Sequence, residues 1–134
     1  MSYRVLKNAQ TGAVLLARAR WCDTFWCKFR GLMFRRHLPA DEGLIFVYGR
    51  ESVIETSIHM FFMAFPIATI WLDREGRVVD KVLARVWRPA YAPKKPAQYV
   101  IEANVGLLDA VQIGDQLEFS ASPHPAQETG GGLP

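Results

Sequence analysis

Most of this chain divides into short, mainly apolar runs of strand length separated by turn signals, rather than stretches of helical period. Tyr3 to Asn8 and Val14 to Ala17 read as two strands joined by a turn over residues 9–12 that ends in Gly12. Gly43 to Tyr48 is an apolar run of strand length. Ser57 to Phe62 and Pro66 to Leu72 read as two further strands, and Pro66 opens the second, where its missing donor is tolerated. Asp73 to Gly76 is a tight turn, so residues 66–83 form a hairpin. Tyr99 to Ala103 and Gln116 to Phe119 complete the strand set. The period changes over residues 21–33. Trp21, Phe25, Phe29 and Leu32 fall on one helical face, Asp23 or Thr24 can cap the start, and Gly31 lies near the end. A second helical turn fits Gly106 to Val111.

Many short strands with one or two short helices predict a mainly β domain, a β-sandwich or a partly closed barrel. The order is not the alternating strand and helix of a dinucleotide-binding fold. Residues 1–120 form the single expected domain. Residues 121–134, rich in Pro, Ser, Gly and Gln, read as a disordered tail. With 134 residues, half of them hydrophobic, the chain can fold without disulfides or metal. Cys22 and Cys27 fit neither a redox nor a usual zinc spacing, and they read as two reduced, partly buried thiols.

Four short motifs occur in order: Arg30-Gly-Leu-Met-Phe-Arg35, Asp41 to Phe46, His59 to Met63 with Pro66-Ile67 and Leu72-Asp73, and Tyr99 to Ala103 with Gly106. Gly114-Asp115 closes the series. The chain resembles the domain-of-unknown-function 192 family of small prokaryotic proteins over about residues 3–119. The resemblance implies a compact β-sandwich or barrel-like domain with short helical insertions, and no established activity. Many relatives look exported. This sequence begins directly with a strand pattern, which predicts a cytoplasmic protein. Ala68 stands where the family often carries an aspartate.

Charge is unevenly distributed. Residues 1–95 hold all 16 lysines and arginines against eight acids, a net +8, and the remainder holds five acids, a net −5. No nucleic-acid-binding motif accompanies the basic part, so no specific nucleic-acid partner is expected. The longest apolar run, Ile58 to Ile70, is too short to span a bilayer, and no membrane association is expected.

Three chemistries are open. His59, Met60, Met63 and Met33 offer soft metal ligands, against which stand the opposite faces of His59 and Met60 in a strand and the use of methionine as core filler. No metal or cofactor is therefore expected. Glu102 follows Val100 and Ile101 within a strand and needs water, a cavity or a partner, and Arg30 is a candidate for an ion pair with it. Aromatic residues exceed what one small sheet face needs, and Trp87 and Tyr91 lie in or beside a proline-rich loop. The favoured function is binding of a small molecule or polymer segment in an aromatic-lined cleft formed by Arg30, Met33, His59, Met63, Glu102 and Trp87. The alternatives are an interaction module using Phe61 to Phe65 and residues 88–97, and an enzyme with Glu102 or His59 as general acid or base.

Overall fold

A computed structural model describes residues 2–121. Seven strands build one sheet: β1 (Tyr3–Asn8), β2 (Val14–Cys22), β3 (Glu42–Ser52), β4 (Ile67–Leu72), β5 (Val78–Ala84), β6 (Ala97–Ala103) and β7 (Leu117–Ala121). Two short helices, α1 (Phe25–Arg30) and α2 (Leu107–Ala110), lie between β2 and β3 and between β6 and β7. The strand order is β5-β4-β6-β3-β2-β1-β7. All pairs are antiparallel except β2 with β3. That parallel pair requires a crossover, and the crossover carries α1 across one face of the sheet.

The two turns foreseen at the hairpins form as their side chains dictate. Asn8 Oδ1 accepts from the amides of Gln10 and Thr11, with Gly12 at φ 79°. Asp73 Oδ1 accepts from the amides of Glu75 and Arg77. Gly76 is required there twice over: its φ is 86°, and a Cβ would stand 2.7 Å from the Leu117 carbonyl oxygen. That close approach ties the two edges of the sheet together. Val78 N–H donates to Asp115 O, Leu117 N–H donates to Gly76 O, and Arg77 bridges to Gln116. The sheet thus curls into a partly closed barrel, and the two-sheet sandwich is not formed.

The side-chain alternation sorts the core into two layers. Leu6, Leu16, Ile45, Ile70, Ile101 and Leu117 fill the inside of the curl, and Leu107 of α2 packs against them. Leu44, Phe46, Trp71 and Val100 point outward and are covered by Leu32, Leu38, Ile58, Met60 and Met63 from the connecting segments. Trp71 is fixed in this layer by its indole N–H, which donates to Thr56 O at 2.8 Å.

Four expectations change. The helix runs only from Phe25 to Arg30, capped as foreseen by Thr24, whose hydroxyl accepts from Cys27 N–H at 3.2 Å, and by Gly31. Trp21 precedes it in β2 and packs in the inner layer against Phe119 and Tyr99, at centroid distances of 5.6 and 6.3 Å. Residues 57–62 are not a strand. Their backbone pairs with residues 87–91, through Ile58 with Tyr91 and Met60 with Arg88, instead of entering the sheet. Cys22 and Cys27 form a disulfide with Cα atoms 5.6 Å apart, so they are not free thiols. Of the tail expected over residues 121–134, Ala121 instead ends β7, paired with Arg4, and residues 122–134 lie outside the described residues.

Candidate functional site

Glu102 sits near the middle of the sheet. On β6 it lies in register between Leu44 of β3 and Thr69 of β4, and it points to the outer face with Val100 and Phe46. The residue is only 4% exposed. No ion pair or hydrogen bond to its carboxyl is present among the described residues. Burial without a partner pushes its pKa from 4.5 up to about 8, so the group is mostly protonated at neutral pH.

The end of α1 closes over this carboxyl. Gly31 has φ 48°, and a Cβ there would stand 3.2 Å from Glu102 Oε1 and 3.3 Å from Phe46 Cζ. Glycine is therefore needed both for the backbone turn and for the close approach. A cleft of about 380 Å³ remains between α1, the outer face of β3 and the segment from Glu55 to Met63. Its walls are largely apolar, with Leu32, Met33, Phe46, Ile58 and Met63 around Glu102. Phe25 and Phe29, stacked at 6.0 Å, also line it, together with the charged side chains of Lys28 and Arg30.

Of the six residues expected to share a site, Arg30, Met33, His59, Met63 and Glu102 line this one cleft. Trp87 does not. It lies outside with its ring against Phe62, at 5.1 Å, and Phe61, at 6.4 Å. The expected Arg30–Glu102 ion pair is absent: Arg30 is exposed, and the ion pairs among the described residues are Arg50–Glu55 and Arg74–Glu51. The cleft-lining ammonium of Lys28 is also engaged elsewhere, donating to Val47 O at 2.9 Å and lying 4.1 Å over the Tyr48 ring.

His59 has no free nitrogen. Nδ1 accepts from Phe61 N–H at 3.3 Å, which places the proton on Nε2, and Nε2 donates to Phe29 O at 3.1 Å. Through these two bonds the ring joins α1 to the 59–63 segment. Met60 is fully buried beneath it and outside the cleft. Among the described residues, no three histidine, cysteine, aspartate or glutamate side chains are grouped to hold a metal.

Sequence reasoning did not single out Tyr48, Phe46 or Gly31 for the cleft. Tyr48 is partly buried, and burial together with the nearby Glu102 and Glu55 pushes its phenol up to about 12. Alternation from Leu44 puts Phe46 and Tyr48 on one face of β3. The β3–β6 pairing that sets this face beside Glu102 has no local signal.

Fold and site define a small curled-sheet β domain with an apolar cleft over one unpaired, buried carboxyl. The chain belongs to the DUF192 family, described as Uncharacterized ACR, COG1430, whose model matches residues 6–119. It is 40% identical over 121 residues to a UPF0127 protein of Thermococcus kodakarensis, covering 90% of this chain and 75% of that one. A UPF0127 protein of Pyrococcus furiosus is 37% identical over 115 residues, covering 84% and 96% of the two chains. A crystal structure of a putative transcription regulator from Sinorhizobium meliloti matches with TM-score 0.76 and 24% identity, covering 89% of this chain and 94% of that chain. A protein of unknown function from Novosphingobium aromaticivorans matches with TM-score 0.72 and 23% identity, covering 87% and 83%. These structures share the fold.

Proposed function

We propose that the cleft binds a small organic molecule, or the end of a polymer segment, by its apolar walls and the Glu102 carboxyl. The unpartnered carboxyl carries this reading. Glu102 lines the cleft, and among the described residues the fully enclosed unpartnered side-chain atoms are Arg20 Nε and Thr69 Oγ1 rather than its oxygens, so the carboxyl opens toward the cleft. At the floor of an apolar cleft, a ligand supplies the missing partner. The cleft volume of about 380 Å³ falls within the range of small-ligand pockets, roughly 300–1,000 Å³. A protonated Glu102 donates to a carbonyl or ether oxygen and still accepts from an N–H or O–H.

Native mass spectrometry of the protein purified from its own host tests this. The expected result is added mass that is lost on denaturation and absent from Met63→Trp, which fills the cleft. An adduct kept by Met63→Trp, or no adduct on the unmodified protein, counts against the reading. The elevated Glu102 proton affinity also suits a general acid, so a second reading is turnover of the bound molecule. In that case Glu102→Gln retains the adduct and abolishes its conversion. No helix among the described residues is long and apolar enough to cross a membrane. A cytoplasmic location fits the Cys22–Cys27 bond only where the cytosol tolerates structural disulfides.

A further inference from the structure

Beside the cleft, aromatic rings continue across the surface from one segment to the next. Trp26 lies against Phe29, Phe29 against His59, and His59 against Phe61, at centroid distances of 6.1, 5.5 and 5.6 Å. Trp87 joins Phe61 to Phe62, and Phe62 meets Phe34 at 5.2 Å. These rings are not core. Trp26 is 72% exposed, Phe34 66% and Trp87 56%. We propose that this belt is a docking surface for an anionic lipid bilayer.

The backbone is bent to present the rings. Among the described residues, the non-glycine positions with positive φ are Phe34, Phe62 and Trp87, at 66°, 61° and 63°, and all three are exposed members of the belt. A bulky residue in the left-handed region costs on the order of 1–2 kcal/mol, and such strain gathers at functional sites. Backbone bonds between the segments hold it: Phe34 N–H donates to Phe62 O, and Trp87 N–H donates to Met60 O.

Charge indicates the partner. Residues 24–38, 59–66 and 84–92 build the belt and contain no acid. Within them Arg30, Arg35, Arg36, Arg85 and Arg88 are all exposed. The opposite charge lies on the segment of α2 and β7, which packs with the inner layer and carries Asp109, Asp115 and Glu118 with no lysine or arginine. Exposed rings flanked by arginine suit the headgroup level of an anionic membrane, where the rings sit at the acyl boundary and the guanidinium groups meet phosphate. A single-stranded nucleic acid is bound by rings set along a groove that tracks its backbone, whereas these rings touch one another in one continuous surface belt, from Trp26 through Phe29, His59 and Phe61 to Trp87, Phe62 and Phe34. Such docking departs from the expectation of no membrane association, which rests on the lack of a spanning run and does not bear on a peripheral surface of this kind.

Vesicles of phosphatidylcholine alone, and of equal parts phosphatidylcholine and phosphatidylglycerol, test the proposal by cosedimentation and tryptophan emission at low salt. The protein is expected to sediment with the mixed vesicles only, with a blue shift from Trp26 and Trp87. Replacing Arg35 and Arg36 by Gln should weaken binding on the order of fivefold per arginine. Trp87→Gly separates docking from folding. It relieves the positive φ, so thermal stability should hold or rise while vesicle binding falls. A protein that stays in the supernatant overturns the proposal, as does binding that is indifferent to anionic lipid or to these substitutions. Oligothymidylate binding without vesicle binding would assign the belt to nucleic acid instead.

Discussion

Ile101 and Glu102 are neighbours in β6, yet they enter different environments. Ile101 points into the curl, where Ile45, Ile70 and Leu72 are equally buried and the clustered side chains are apolar. Glu102 points outward, into a row that crosses four strands from Arg20 through Leu44 and Glu102 to Thr69. In that row Arg20 Nε and Thr69 Oγ1 are buried without a partner, and the carboxyl between them lines the cleft with no ion pair among the described residues. The inner layer is closed by the sheet itself, through the ties between β5 and the start of β7. The outer layer is covered by attached pieces, and it is there that polar groups stand unpaired.

The adjacent pair gives the largest test of that contrast. Ile101→Ala should destabilise by about 2–5 kcal/mol at any pH, because it opens a cavity in a filled layer. Glu102→Gln should act in the opposite sense, and only above acid pH. Folding raises the Glu102 pKa from 4.5 to about 8, so the folded chain holds this proton more tightly than the unfolded chain. The group's favourable contribution is fully present below pH 4.5, declines as pH rises, and is lost above about pH 8. Urea melts across this range should show the unmodified protein losing several kcal/mol relative to Glu102→Gln, with flat differences on either side. Equal pH profiles for the two proteins would mean that Glu102 is hydrated or paired in solution, and the contrast between the faces would fall.

The central strands were legible in the sequence as short apolar runs, as in residues 99–103 and 66–72, because strands buried on both faces carry few polar residues. The acid at 102 was legible for the same reason, as an interruption in an apolar strand. Its partner was not. Charge alone suggested Arg30, but nothing local showed that Arg30 would stay in solvent. The i, i+4 aromatic pair Phe25 and Phe29 correctly indicated a helix, and their shared face is exposed, since α1 has no buried residue. Residues 57–62 carry strand-like composition, yet their partners are the prolyl loop and α1, a tertiary choice that propensity does not encode.

Because α1 buries no residue, its attachment rests on a few links, among them the Cys22–Cys27 bond, the Thr24 cap and the His59 bridge to Phe29 O. Closing so short a loop stabilises by about 2 kcal/mol on chain-entropy grounds. Reduction, or paired Cys22→Ala and Cys27→Ala substitution, should lower stability by about that amount. Hydrogen exchange should rise across residues 24–31 while the amides of β4 and β6 keep their protection. A uniform loss of protection would show that the two faces unfold as one unit, which would weaken their separation.

Thr69 offers the smallest effect and the sharpest discrimination. Its side chain is fully buried next to Glu102 across the β4–β6 pair, with its hydroxyl unpartnered. Valine keeps the shape and removes the hydroxyl. If the outer layer is dry there, Thr69→Val should stabilise by about 1 kcal/mol, since it deletes an unsatisfied polar group without opening a cavity. If instead a water links Thr69 Oγ1 to the Glu102 carboxyl, the same substitution should destabilise and push the Glu102 pKa further up, because the carboxylate loses hydration. The sign of the change, read in Thr69→Val and again in Thr69→Val combined with Glu102→Gln, tells whether the polar row is a set of separate vacancies or one hydrated network. Only a dry row leaves the Glu102 carboxyl free to take its hydrogen bond from a ligand in the cleft.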